Sequence, residues 1–274
     1  MYTEPVVRTM PYLSIGKERF YYETDGKGPP VVLIAGYSCD LSLWNGIREE
    51  LARDFQLVLF DHRGVGRTED VKETFTIETM AEDVVGIIDA LHLDRPAVLG
   101  HSMGGAVVQV LAYRFKDKIG KTIIAQSLVK LTPAARAMFI ANLHLLQEGV
   151  PRKRLAEVII PWLFSDALID NSEFCKMFVQ LQEENPNPAK PEGLAKQYAA
   201  LMQFDSRSWY PQIKTAPLIL AGKEDRICPP ESAEEMAAKI PNAKLHVFRG
   251  VGHVSPVECP QAFCEAVRSF LKGD

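Results

Sequence analysis

The chain has 274 residues, of which 47% are hydrophobic, 24% charged and 9% aromatic. These fractions sit near the average for folded domains and exclude disordered, collagen-like and coiled-coil classes. The net charge of −4 comes without a block of basic residues, so neither nucleic acid nor an anionic membrane is expected as a partner.

Short apolar runs alternate with amphipathic stretches, the pattern of a parallel α/β sheet. Tyr12–Gly16 and Arg19–Thr24 read as an antiparallel hairpin, and Pro29-Pro30 delivers the buried-type strand Val31–Ala35. A helix over Leu43–Arg53 and a strand over Gln56–Phe60 follow. In Thr76–Leu91 the apolar residues Ile77, Met80, Val84, Ile87, Ile88 and Leu91 recur at helical spacing. Pro96–Gly100 reads as a strand, Met103–Phe115 as a helix rich in small residues, and Lys121–Ala125 as the sixth strand. After Leu128 the β-type runs stop, and a helical pattern continues to about Asp205, with a loop at Glu183–Glu192. The βα rhythm then returns with Pro217–Gly222, Glu231–Lys239, Lys244–Phe248 and Gln261–Leu271. The expected fold class is α/β: a mostly parallel eight-stranded sheet flanked by helices, with a helical lid inserted after the sixth strand. The expected division is a core of residues 1–128 and 206–274 with a cap of residues 129–205.

The five cysteines (Cys39, Cys175, Cys228, Cys259, Cys264) are scattered and form no Cys-x-x-Cys pair, which argues against a disulfide scaffold or a zinc ribbon. The N-terminus lacks a basic start followed by an apolar core, and no apolar run is long enough to span a bilayer. A reduced, cytoplasmic, soluble protein is expected.

Gly100-His101-Ser102-Met103-Gly104 is a Gly-x-Ser-x-Gly pattern, weak alone but placed here between a predicted strand and a predicted helix. A serine on such a turn presents its hydroxyl at the strand's carboxyl end, and the helix N-terminus behind it favours a developing oxyanion. The alternative is a glycine-rich turn capped by Ser102. A serine nucleophile needs a base, and His253, in the loop Gly250-Val251-Gly252-His253 after the last strand, is the candidate among six histidines. His62 reads as part of a surface turn, and His246 as a strand residue. Asp225, just past strand Pro217–Gly222, is the candidate acid that orients the base; Glu224 beside it reads as a solvated turn residue. The loop Gly36-Tyr37-Ser38-Cys39-Asp40 should lie beside Ser102, where the backbone N–H groups of Tyr37 and Met103 would form an oxyanion hole. Cys39 would then lie near the pocket mouth, either accessible or a small buried hydrophobe.

Together these motifs resemble those of the α/β-hydrolase family. Gly100–Gly105 resembles its nucleophile elbow, and Asp61-His62-Arg63-Gly64-Val65-Gly66 its Asp-x-Arg-Gly-x-Gly turn. Gly222-Lys223-Glu224-Asp225 resembles the acid loop, and Gly252-His253 with Glu258-Cys259-Pro260 the histidine loop. One departure stands out: the family's oxyanion loop usually begins His-Gly, whereas this one begins Ala35-Gly36. The resemblance implies a serine hydrolase with a Ser102–His253–Asp225 triad acting on a small ester or lactone. Within it, an enol-lactonase or a carbon–carbon bond hydrolase is an alternative, and a ligand-binding receptor on the same fold is another. The remaining motifs fail: Gly64-Val65-Gly66 lacks the third glycine of a dinucleotide fingerprint, and neither a phosphate loop nor His-Glu-x-x-His occurs. No cofactor and no metal are expected, and the oligomeric state stays open between monomer and dimer.

Overall fold

In the computed structural model, which describes residues 12–68 and 72–273, eight strands form one sheet. They are β1 (Tyr12–Ile15), β2 (Glu18–Asp25), β3 (Pro30–Ile34), β4 (Gln56–Phe60), β5 (Ala97–His101), β6 (Thr122–Ala125), β7 (Leu218–Gly222) and β8 (Lys244–Phe248). Their spatial order is β1-β2-β4-β3-β5-β6-β7-β8. The β1–β2 and β2–β4 pairs are antiparallel and the remaining five parallel. The eight-stranded, mostly parallel sheet read from the sequence is therefore present. The N-terminal reading falls on residues 1–8, outside the described residues.

Side-chain alternation along the strands builds two cores. Val32, Ile34, Val58, Phe60, Val98 and Ile124 face α2 (Ile77–Ala90), α3 (Met103–Arg114) and α9 (Pro230–Lys239). Val31, Leu33, Leu57, Leu59, Leu99 and Ile123 face α1 (Asn45–Ala52) and α11 (Pro260–Lys272). Burial on both faces explains why these strands read as unbroken apolar runs. Helix α2 starts at a capping box in which the Thr76 hydroxyl accepts the Thr79 N–H at 3.2 Å.

Two local differences have simple causes. The expected helix over Leu43–Arg53 is preceded by a 3₁₀ turn, Leu41–Trp44, whose first amides fold onto Asp40: the Ser42 N–H donates to its Oδ1 at 2.8 Å. The four-residue α10 (Ser255–Glu258) is too short for a periodic signal and carries Pro256 in its first turn.

Between β6 and β7 lie α4 (Pro133–Gln147), α5 (Arg152–Leu163), α6 (Asp166–Ile169), α7 (Ser172–Glu184) and α8 (Pro191–Gln203). Helix α5 packs against α4 and α7, and α4 against α8. An isolated antiparallel bridge joins Lys130 to Asp205 across the ends of this helical stretch. Among its contacts with the strand-end loops, the Phe139 ring packs tilted against Tyr37 with centroids 4.8 Å apart, and Ile160 and Phe164 pack with Val254. Among the described residues, no helix is long and apolar enough to cross a membrane.

Candidate active site

Strand β5 runs into Ser102, whose backbone (φ 55, ψ −117) lies in a region that non-glycine residues avoid. Such a strained turn persists only where its surroundings hold it. The Ser102 N–H donates to the Ala125 carbonyl at 2.9 Å, and the Ser102 carbonyl accepts the Ser127 hydroxyl at 2.8 Å. The flanking glycines permit the crossing: a Cβ on Gly104 would lie 2.0 Å from the Ile34 carbonyl oxygen, and one on Gly100 2.1 Å from that of Gly104. Ser102 is buried, at the head of α3.

Asp225 and His253 come from loops after β7 and β8, and the structure brings them together. His253 Nδ1 donates to Asp225 Oδ2 at 2.8 Å, and both side chains are buried. The other carboxylate oxygen accepts the amides of Ile227 (2.9 Å) and Cys228 (2.8 Å), so the carboxylate is fixed at both ends. The His253 N–H donates to the Leu163 carbonyl at 2.7 Å. Glu258 ties the same loop to the helical stretch: Oε1 accepts the Gly252 N–H at 2.8 Å and Oε2 the Ser165 N–H at 3.0 Å. The Ser102 hydroxyl makes no hydrogen bond to the His253 ring in this structure. His101, next to Ser102, does reach the His253 loop, donating from Nε2 to the His253 carbonyl at 2.7 Å.

The loop after β3 abuts the Ser102 turn, since a Cβ on Gly36 would lie 3.1 Å from Ser102 Cβ. Tyr37 follows, and among the described residues neither its amide nor that of Met103 donates to another protein atom. Asp61 secures this loop's exit, accepting the Leu41 N–H on Oδ1 and the Arg67 N–H on Oδ2, both at 2.8 Å. Gly66 is required here, because a Cβ would meet Asp61 Oδ2 at 2.3 Å. The Asp-x-Arg-Gly-x-Gly turn thus braces the loop beside Ser102.

Two readings need correction, His62 and Glu224, and Cys39, left open between two alternatives, falls toward the buried one. His62 is fully buried rather than on a surface turn, because α8 covers that turn: Gly193 sits against Gly64, and Gln197 bonds the Arg63 carbonyl. Burial pushes its imidazole down to about 3. Glu224 is half-buried and accepts the Asp166 N–H at 3.0 Å instead of being solvated. Cys39 is half-buried, and desolvation pushes its thiol up to about 12, which removes the reactive thiolate at neutral pH.

Among the described residues, Asp225, Cys228 and His253 are the group whose ligand atoms could converge on a metal, lying within 4.8 Å of one another. Two of these are already hydrogen-bonded to each other, and burial pushes the Cys228 thiol well up. The arrangement is a hydrogen-bonded carboxylate–imidazole pair with a protonated thiol alongside. Glu258, His101 and Gln197 were missed in the sequence; of these only Glu258 had a signal, its place in the histidine-loop motif.

Residues 29–260 match the family described as alpha/beta hydrolase fold. A candidate carbamate hydrolase, RutD of Caulobacter sp. (strain K31), is 29% identical over 265 residues, covering 93% of this chain and 96% of that one. A thermophilic esterase from Thermogutta terrifontis superposes with a TM-score of 0.82 at 29% identity, over 93% of this chain and 94% of that chain. The enol-lactonase from Burkholderia xenovorans LB400 superposes with a TM-score of 0.85 at 26% identity, over 96% and 100%.

Proposed function

The chain is a hydrolase that belongs to the alpha/beta hydrolase fold family, and on that premise we propose that it cleaves a small carboxylic ester or lactone through an acyl-enzyme intermediate. The observation that carries this reading is the buried Asp225–His253 hydrogen bond at 2.8 Å, beside the strained Ser102 turn. Ser102 Oγ attacks the carbonyl carbon as its proton passes to His253 Nε2, and the imidazolium is stabilised by Asp225. The carbonyl oxygen takes the negative charge and is met by the Tyr37 and Met103 amides. Collapse breaks the acyl C–O bond, and His253 returns the proton to the departing alkoxide. Water then attacks the acyl-serine through the same base, freeing the acid and Ser102. In this reading the Ser102–His253 hydrogen bond forms when substrate fills the site, a common difference between empty and occupied sites.

Residues 129–205 serve in this reading as a cap on a core of residues 1–128 and 206–274. The tilted packing of Phe139 against Tyr37 and the Leu163–His253 hydrogen bond support it. A cap shielding the site from water favours compact acyl groups over polymers. A carbamate is the second reading, favoured by the name carried by the RutD relatives; it would follow the same steps with a carbamoyl group on Ser102.

Steady-state assays with p-nitrophenyl acetate, a small lactone and a p-nitrophenyl carbamate test the proposal. Repeated turnover of the ester or lactone, abolished in Ser102→Ala, is expected. Faster turnover of the carbamate would favour the second reading. A single stoichiometric burst with lasting occupancy would instead indicate a ligand-binding protein.

A further inference from the structure

Ala35 offers the loop beside Ser102 no side-chain hydrogen bond, yet the loop is held from outside the sheet. Gln197, fully buried on α8, accepts the Ser38 N–H on Oε1 at 3.0 Å and donates from Nε2 to the Arg63 carbonyl at 3.2 Å. Among the described residues it is the one side chain that accepts an amide from within Gly36–Cys39. Four residues earlier on the same helix face stands Gly193. A Cβ there would lie 1.9 Å from the Gly64 carbonyl oxygen, so helix and turn meet backbone to backbone. Gly193 allows the close approach, and Gln197 spans both loops at that contact.

We propose that Gln197 is a positioning residue for the oxyanion hole, coupling the seating of α8 to catalysis; this rests on the reading that the Tyr37 N–H binds the oxyanion. The peptide unit joining Tyr37 to Ser38 is planar, so fixing the Ser38 N–H fixes the orientation of the Tyr37 carbonyl and its ψ. Ser38 has φ 64, a left-handed conformation that costs free energy and needs such a partner. Without Gln197, the backbone hydrogen bonds left to the loop among the described residues are the long Cys39 N–H to Gly36 carbonyl turn bond at 3.3 Å and the Asp61 anchor further on, beside the packing of Tyr37 against Phe139. The Tyr37 amide would then sample orientations that miss the developing charge, while ground-state contacts with substrate would change little.

The test uses Gln197→Met, which keeps length and removes both hydrogen bonds, and Gly193→Ala, which pushes α8 off the turn without touching Gln197. Each is assayed on a small p-nitrophenyl ester and against a trifluoromethyl ketone, whose serine adduct carries an oxyanion. We expect kcat to fall about 10- to 100-fold with KM changed less than about threefold, since small misplacements cost rates of this order. The ketone's inhibition constant should rise in step with the loss in kcat/KM, and Gln197→Glu, retaining an acceptor for Ser38, should recover part of the rate. A folded Gln197→Met or Gly193→Ala with wild-type kcat and ketone affinity overturns the proposal, as does a loss confined to KM. If Gln197→Met fails to fold, the other two variants decide on the same criteria. Fluorophosphonate labelling separates the two levels. Wild type unlabelled at Ser102 defeats the parent reading, whereas labelled wild type beside an unaffected Gln197→Met defeats only the positioning role.

Discussion

The His101 imidazole donates to the backbone carbonyl of His253 at 2.7 Å, and the two rings lie 4.9 Å apart. The residue preceding the proposed nucleophile is thus tied to the proposed base across 152 residues of sequence. His101→Leu would leave that buried carbonyl unpaired, a loss of about 1–3 kcal/mol. Turnover should fall as well, because the base's loop loses its tie to the nucleophile turn. Urea unfolding and an ester assay on the same variant check both; a His101→Leu protein as stable and as active as wild type would show that the tie contributes nothing.

Acid should destabilise the fold through two histidines. Burial pushes His62 and His101 down to about 3, with the neighbouring His253 adding to the effect at His101. The unfolded chain titrates them near 6.5. Between these values the unfolded state binds more protons, so stability is lost as pH falls from about 6.5 toward 3. From pH 7 to pH 5 each histidine should contribute about 2 kcal/mol of loss. Replacing His62 with an apolar residue should remove one share of the slope, read from urea midpoints at the two pH values.

Asp225→Asn tests the orienting acid. The amide can still present an oxygen to the Ile227 and Cys228 N–H groups, but its NH₂ then faces His253 Nδ1 and forces the ring proton onto Nε2. The base is disabled with little structural change, so turnover should drop about 10³- to 10⁴-fold. Glu224→Gln should stay within about threefold of wild type, since that carboxylate accepts the Asp166 amide, which the Gln carbonyl can still do. Comparing the two rates decides the assignment, and a larger loss in Glu224→Gln reverses it.

Arg63 forks onto Asp83, Nε to Oδ2 at 2.6 Å and Nη2 to Oδ1 at 2.5 Å, with both groups buried. Removing one member leaves an uncompensated buried charge, so Arg63→Ala should cost about 3–5 kcal/mol. Arg63→Lys cannot reproduce the fork and should recover only part of it. Thermal and urea unfolding read both variants, and a loss near zero for Arg63→Ala would mean that the pair is not holding the turn.

The sheet was legible because its central strands are buried on both faces, which writes Val31–Ile34 or Leu57–Phe60 as continuous apolar runs between turns. The positions of Ser102 and Asp225 were legible because each follows such a run, and that of His253 because it lies in the loop after the last strand. What escaped depends on which surface covers which. Nothing local to His62 says that α8 lies over it, and nothing near Gln197 points to Ser38, 159 residues away. Glu224 looked solvated because its partner, the Asp166 amide, belongs to a helix that the βα rhythm does not register. Long-range hydrogen bonds that close a site leave no periodicity behind.

The central claim is that Ser102 carries the acyl group. Rapid acid quench of the protein with p-nitrophenyl acetate, followed by intact-mass and peptide mass spectrometry, tests it most directly. One acetyl group on the peptide containing Ser102, short-lived in wild type, longer-lived in Asp225→Asn and absent in Ser102→Ala, is the result predicted. Acetyl transfer to another residue, or undiminished hydrolysis by Ser102→Ala, would contradict it.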